Sequence, residues 1–211
     1  MVTARDAYLG LLALVALERG AELWLSARNS RRALARGAVE SGRGHYPAMV
    51  AVHGLFLVAC AAEALAFPEP PSPLALLAVA GALGAQGLRW WAVSALGDRW
   101  NTRILAVPGE PPVTRGPYRW LRHPNYLAVV LEIACLPLAF GSWRTALAFS
   151  ILNALLLTVR IPAEERALGP GWAASLGHRP RLVPALGSRP RAPRGPGSAT
   201  GTGASAGRGA P

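Results

Sequence analysis

Residues 126–161 read YLAVVLEIACLPLAFGSWRTALAFSILNALLLTVRI. Two apolar runs, Tyr126 to Phe140 and Thr145 to Ile161, flank the turn Gly141-Ser142. Each is short for a full crossing of a bilayer, which takes about 20 residues. Two short apolar helices around a tight glycine turn predict a helical hairpin, shallow or tilted, that only just spans. Pro137 is placed to kink its first arm. A hairpin returns to the side it left, so the residues before Tyr126 and those after Arg160 emerge together. Two polar stretches well apart in sequence thus become the two feet of one element.

Outward from the hairpin the pattern repeats. Ala7 to Leu25, Met49 to Phe67 and Leu74 to Leu96 are further apolar blocks of bilayer length. With 126–140 and 145–161 they make about five transmembrane helices. The expected fold is an all-α integral membrane protein whose last two helices form the hairpin. Residues 1–184 would form this membrane domain. From about Ala185 the chain is Gly, Pro, Ala, Ser and Arg, which predicts a disordered tail over 185–211. Composition agrees: 52% of the 211 residues are hydrophobic, in blocks rather than dispersed. Gly81, Gly84 and Gly87 recur every three residues, where a second helix can approach closely.

The net charge is +11 and every basic residue is Arg. Such an excess would suit a nucleic-acid binder, but these arginines flank apolar blocks, as they do beside membrane headgroups. Membrane lipids are therefore the expected partners, and no nucleic acid is. Arg-rich stretches follow the first and third blocks and the hairpin, whereas the Pro-rich turn 68–73 has no basic residue and the hairpin turn has only Arg144. The positive-inside rule then puts the N-terminus outside and both feet and the C-terminus in the cytoplasm. Cys60 and Cys135 lie in apolar blocks and read as small buried hydrophobes; no Cys/His zinc spacing occurs. Glu18 and Glu22 share a helix face, set either inward or at the interface beside Arg19 or Arg28. His53, inside the second block, reads as a packing residue with a local hydrogen bond.

The first foot is Gly116-Pro117-Tyr118-Arg119-Trp120-Leu121-Arg122-His123-Pro124-Asn125-Tyr126. Its prolines restrict the backbone, Pro124 disfavours helix just before it, and Asn125 is suited to N-cap the next helix. Arg122 and His123 would sit ahead of a helix N-terminus, near its partial positive charge. Tyr118, Trp120 and Tyr126 offer flat faces to a purine. The second foot is Arg160-Ile161-Pro162-Ala163-Glu164-Glu165. Pro162 is expected to end the incoming helix and start another, placing Glu164 and Glu165 in a first turn. Alone, that is an ordinary helix start on a membrane surface; opposite His123 and Arg122 it offers acceptors for ribose hydroxyls or an ammonium group.

Gly116-Pro117-Tyr118, then Arg122-His123-Pro124-Asn125-Tyr126, then Arg160 and Glu164-Glu165 resemble the isoprenylcysteine carboxyl methyltransferase family. That family and the related phospholipid methyltransferases share an R-H-P-x-Y-x-G pattern and a distal E-E pair around S-adenosylmethionine. The glycine of the pattern is Ala128 here. Arg99-Trp100-Asn101-Thr102-Arg103 and Arg43-Gly44-His45-Tyr46 resemble a bacterial subgroup associated with O-methylation of long-chain alkylpyrones or alkylresorcinols, which would put the enzyme in a bacterial cell membrane.

The resemblance implies S-adenosylmethionine held by Tyr118, Arg122, His123, Pro124, Tyr126, Glu164 and Glu165, and a lipophilic methyl acceptor entering from the bilayer. Arg160 would hold an acceptor carboxylate, which needs no base. A hydroxyl acceptor must lose a proton, for which Glu132 and His45 are candidates; Glu132 paired with a neighbouring helix is the competing expectation. The implied activity is S-adenosylmethionine-dependent O-methylation. Phospholipid N-methylation and a non-catalytic membrane scaffold are the alternatives.

Overall fold

The computed structural model describes residues 3–67 and 74–183. The turn 68–73 and the tail 185–211 lie outside the described residues. Five long helices dominate: α1 (Ala4–Ala35), α2 (Tyr46–Ala66), α3 (Ala75–Leu96), α4 (Pro124–Leu138) and α5 (Trp143–Leu176). They run up and down in turn, so the C-terminal ends of α1 and α3 meet the N-terminal ends of α2 and α4. Among the described residues, three helical segments are long and apolar enough to cross a membrane: 43–66, 75–99 and 143–176. α4 is a shorter apolar helix, as its 15 residues dictate. α1 is long, but Glu18, Arg19, Glu22 and a run of arginines interrupt its apolar surface.

Local chemistry sets the ends of these helices. Thr3 and Asp6 form a reciprocal capping box at the start of α1. The N-cap position of α4 is His123, with Pro124 as its first helical residue. The sequence expectation gave that position to Asn125; Pro124, whose missing N–H suits the first turn, moves the boundary back by two residues. α5 starts without a side-chain cap of its own. Glu63 at the end of α2 supplies one, accepting from the backbone N–H of Arg144 at 3.2 Å and of Thr145 at 2.7 Å.

α5 also corrects the expectation for Pro162. The helix continues through it, and the only non-helical residue inside is Gly169 (φ 76°, ψ −176°), directly before Pro170. A proline inside a helix forfeits one backbone bond, at a cost of about 3 kcal/mol. Burial of Arg160 and Ile161, two and one positions earlier, holds the segment helical. The break falls instead where glycine takes a positive φ at no steric cost. Glu164 and Glu165 therefore lie inside a helix and not in its first turn.

One apolar core joins Tyr8 and Leu12 of α1, Phe56, Cys60 and Ala64 of α2, and Val129, Ile133 and Leu136 of α4. Tyr8 stacks on Phe140 at 4.7 Å, closing the end opposite the feet. Both cysteines are free thiols. α3 and α4 approach closest at Gly81, where an added Cβ would lie 2.6 Å from Cys135 Sγ; Gly84 and Gly87 face open space. Leu76, Leu77, Leu83 and Leu155 point outward, as a surface facing lipid requires.

The fold is not purely helical. Val39–Ser41 (β1) and Ile104–Ala106 (β2) pair antiparallel, Val39 opposite Ala106 and Ser41 opposite Ile104. The sequence predicted loops here, since three-residue strands carry no periodic signal. Ser26 and Asn29 of α1 anchor the adjoining segment. Thr102 N donates to Ser26 Oγ at 3.0 Å, and Asn29 Nδ2 donates to the Trp100 carbonyl at 2.8 Å. The 97–106 segment is thereby folded against the bundle end at which the two feet emerge.

Candidate active site

The hairpin does bring its feet together. α4 contributes Tyr126 and, at its N-cap, His123; α5 contributes a stripe at intervals of three or four residues, Leu157, Arg160, Glu164, Leu168, Trp172 and Leu176. All of these line a single cavity of about 410 Å³. Residues spaced by four share a helix face, so uninterrupted helix through Pro162 is what puts Arg160, Glu164 and Leu168 in one row.

Two linked polar networks fix the geometry. In the first, the Tyr126 hydroxyl donates to Glu164 and accepts from Arg160 Nε at 2.7 Å. Arg160 also donates through Nη2 to the Thr102 carbonyl at 2.6 Å, which ties α5 to the 97–106 segment. Arg160 is 5% exposed, and such a cation is tolerable only because acceptors surround it. In the second, Glu165 Oε1 accepts from Arg122 Nη1 at 3.0 Å, His123 Nε2 at 3.2 Å and Arg181 Nε at 3.1 Å. Glu165 Oε2 takes Arg181 Nη2 at 2.6 Å. A carboxylate only accepts, so His123 Nε2 carries a proton. The Glu165 charge in turn raises the affinity of Arg181 for its proton.

A short C-terminal strap closes the second network. Arg122 N donates to the Pro180 carbonyl at 3.0 Å and His123 N to the Arg181 carbonyl at 3.1 Å, while the Arg179 guanidinium bonds the Tyr118 carbonyl. The His123 ring is held between Tyr126 (5.3 Å) and Trp172 (5.6 Å). Burial, and then the Glu164 charge, push the Tyr118 phenol above its ordinary ionisation, so it lines the cavity as a neutral ring.

The expected site residues separate into two groups. Tyr118, Arg122, His123, Tyr126, Arg160 and Glu164 line the cavity; Pro124 is buried at the head of α4. Glu165 lies outside the lining and positions Arg122 and His123 from behind. Glu132 is also outside it, bonded to Arg89 and 3.7 Å from Arg19, which is the paired arrangement weighed against a catalytic one. His45 packs its ring against Gly42. Glu18 and Glu22 both pair with Arg19 at 3.0 Å.

Three features were missed in the sequence. Arg89 sits within an apolar block, and an ionisable group at that depth was itself the signal. Trp172 and the strap 179–181 lie beyond the hairpin, where only tertiary contact reveals their place.

The residues present suit an adenosyl sulfonium ligand. Buried Asn125 Oδ1, on a cavity-lining residue, has no hydrogen-bond partner, and neither does buried Arg122 Nε. Such orphaned groups near aromatic rings and a carboxylate match a ligand with an amino-purine, hydroxyls and an ammonium group.

A sequence profile of the isoprenylcysteine carboxyl methyltransferase family matches residues 76–170, from α3 to the kink of α5. The uncharacterized protein YpbQ of Bacillus subtilis is 43% identical over 158 residues, covering 75% of this chain and 94% of that relative. An uncharacterized protein of Haemophilus influenzae is 27% identical over 148 residues, 69% of this chain and 86% of the relative.

Proposed function

The chain belongs to the isoprenylcysteine carboxyl methyltransferase family of membrane methyltransferases, and from that premise we propose that it transfers a methyl group from S-adenosylmethionine to an oxygen of a lipophilic acceptor. The observation that carries this reading is the meeting of His123 and Tyr126 with Arg160, Glu164 and Trp172 on one cavity wall. When bound, the cofactor supplies an electrophilic methyl carbon on a cationic sulfur. Asn125 Oδ1 and Glu164 would accept from its amino and hydroxyl groups. His123, Tyr118 and Trp172 would flank its base, and Glu165 would keep Arg122 and His123 in register.

Methyl transfer asks mainly for alignment of acceptor oxygen and methyl carbon. Arg160 is suited to hold the acceptor oxygen: Tyr126 and Thr102 fix Nε and Nη2, leaving Nη1 for another partner. The acceptor head would enter beneath the cofactor while its chain lies along the apolar part of the cavity, lined by Leu23, Val50, Leu57 and Leu156. A long-chain alkylresorcinol or alkylpyrone hydroxyl and a carboxylate are the acceptors considered. The site end carries Arg31, Arg32, Arg36, Arg103, Arg115 and Arg119, so it would face the cytoplasm, the compartment of the cofactor.

Calorimetry on the purified protein in detergent tests the reading. S-adenosylmethionine should bind to one site, and His123→Ala should weaken it at least about tenfold, since it removes a stacked ring and the partner of Glu165. No binding, or equal binding by the variant, would overturn the assignment. Transfer of label to a phospholipid amine and to no oxygen would replace it with N-methylation.

A further inference from the structure

The cavity does not end at Arg160. It continues toward the middle of the bundle, where Arg19, Glu22, His53 and Arg89 line its floor. Glu132, beside this floor, lies six residues beyond Tyr126 along α4, about 9 Å deeper at the helical rise. The floor is a closed network of charges. Arg19 lies 3.0 Å from both Glu18 and Glu22 and 3.7 Å from Glu132, while Arg89 bonds Glu132 and lies 3.6 Å from Glu22. Gln86 of α3 donates to Glu18. Three carboxylates thus share two guanidiniums. From α5 this region receives only the neutral amide of buried Asn153; Arg160 lies nearer the mouth.

His53 is the remaining group on the floor. Its Nδ1 lies 2.8 Å from the Met49 carbonyl oxygen, one turn back on α2. A carbonyl only accepts, so Nδ1 carries the proton of the neutral ring and Nε2 keeps a lone pair. Nε2 has no hydrogen-bond partner among the described residues. A base with a fixed tautomer and a free lone pair on the cavity floor is equipped to accept a proton.

Resting on the methyltransferase reading above, we propose that His53 is a further catalytic residue, the base that takes the proton from a hydroxyl acceptor. The acceptor O–H bond breaks, its proton going to Nε2 and its electron pair staying on oxygen. That oxygen bonds to the methyl carbon of the sulfonium donor, and the carbon–sulfur pair stays on sulfur. The imidazolium returns its proton to water when the methyl ether leaves. A carboxylate acceptor has no proton to give.

The test uses the full chain in detergent with S-adenosylmethionine and two probes, a long-chain 5-alkylresorcinol and a long-chain carboxylic acid. The resorcinol should be methylated, with a rate that falls as pH drops and the imidazole takes up a proton. His53→Gln should bind S-adenosylmethionine as wild type does but lose about 10²–10⁴-fold in rate at neutral pH. Its residual rate should rise only toward the phenol's own ionisation, about pH 10. A second readout needs no turnover: nitrogen NMR of labelled histidines, in which His53 is the one of four signals absent from His53→Gln. That signal should take up its proton over the same pH range as the acid limb of the rate. An unchanged pH profile in His53→Gln, a His53 titration that does not track that limb, or methylation of the carboxylic acid alone would each overturn the role of His53. Absence of cofactor binding in wild type would instead overturn the methyltransferase reading, and this proposal with it.

Discussion

Glu165 holds three cationic or N–H donors at once, Arg122, His123 and Arg181, with its side chain only 15% exposed. Its work is indirect, because it holds two cavity-lining residues without lining the cavity itself. Replacing it with Gln keeps the shape and one acceptor oxygen but removes the charge and sets an amide N–H₂ among donors. Loss of a charge-assisted contact of this kind costs about 1.5–3 kcal/mol. We expect Glu165→Gln to weaken S-adenosylmethionine about tenfold or more by calorimetry, and to lower the thermal midpoint in detergent as the strap at 179–181 loses its anchor. Unchanged affinity would leave Glu165 as no more than a surface ion pair. Both halves of this cluster were legible, since prolines bracket Arg122-His123 and two acids follow Arg160. Which acid faces the ligand was not legible: adjacent helical residues point about 100° apart, and only the course of α5 through Pro162 sets which one turns inward. Arg89 and His53 were underread for a related reason. One polar residue in an apolar block identifies its partner only after the helices have packed.

The helices themselves followed from the apolar blocks, and their failures are local. Pro162 looked like a boundary because its backbone penalty can be read from sequence, whereas the burial of Arg160 and Ile161 that offsets it cannot. The glycine row of α3 likewise overstated the contact, since only Gly81 meets a neighbour. That makes a discriminating test. Gly81→Ala places a Cβ 2.6 Å from Cys135 Sγ, and forcing α3 from α4 should cost about 1–3 kcal/mol. Gly84→Ala faces open space and should be neutral or slightly stabilising, as alanine is the better helix former by about 1 kcal/mol. Adding Cys135→Ala to Gly81→Ala removes the clashing sulfur and should restore much of the loss. Thermal unfolding of the four proteins in one detergent measures this; equal midpoints for Gly81→Ala and Gly84→Ala would show that the close approach is absent.

For the molecule as a whole, up-and-down connectivity gathers the charged segments at one end. The 31–43 and 97–123 segments and the strap meet there, while the other end holds the Tyr8–Phe140 stack and the Glu63 cap. This asymmetry gives the functional reading its physical sense, because a greasy acceptor can approach from lipid while a polar cofactor enters from water. It also makes orientation testable without a substrate. In a variant with Cys60→Ala and Cys135→Ala, single cysteines can be placed at exposed Ala4, at the start of α1, and at exposed Thr114, in the site-end loop. A membrane-impermeant maleimide added to intact host cells should label Ala4→Cys. It should reach Thr114→Cys only after the membrane is permeabilised. The arginines argue for this result, since a bilayer orients short loops by their Lys and Arg content. The reverse pattern would place His123 and Glu164 on the side without S-adenosylmethionine, and the proposed chemistry would then lack its methyl donor.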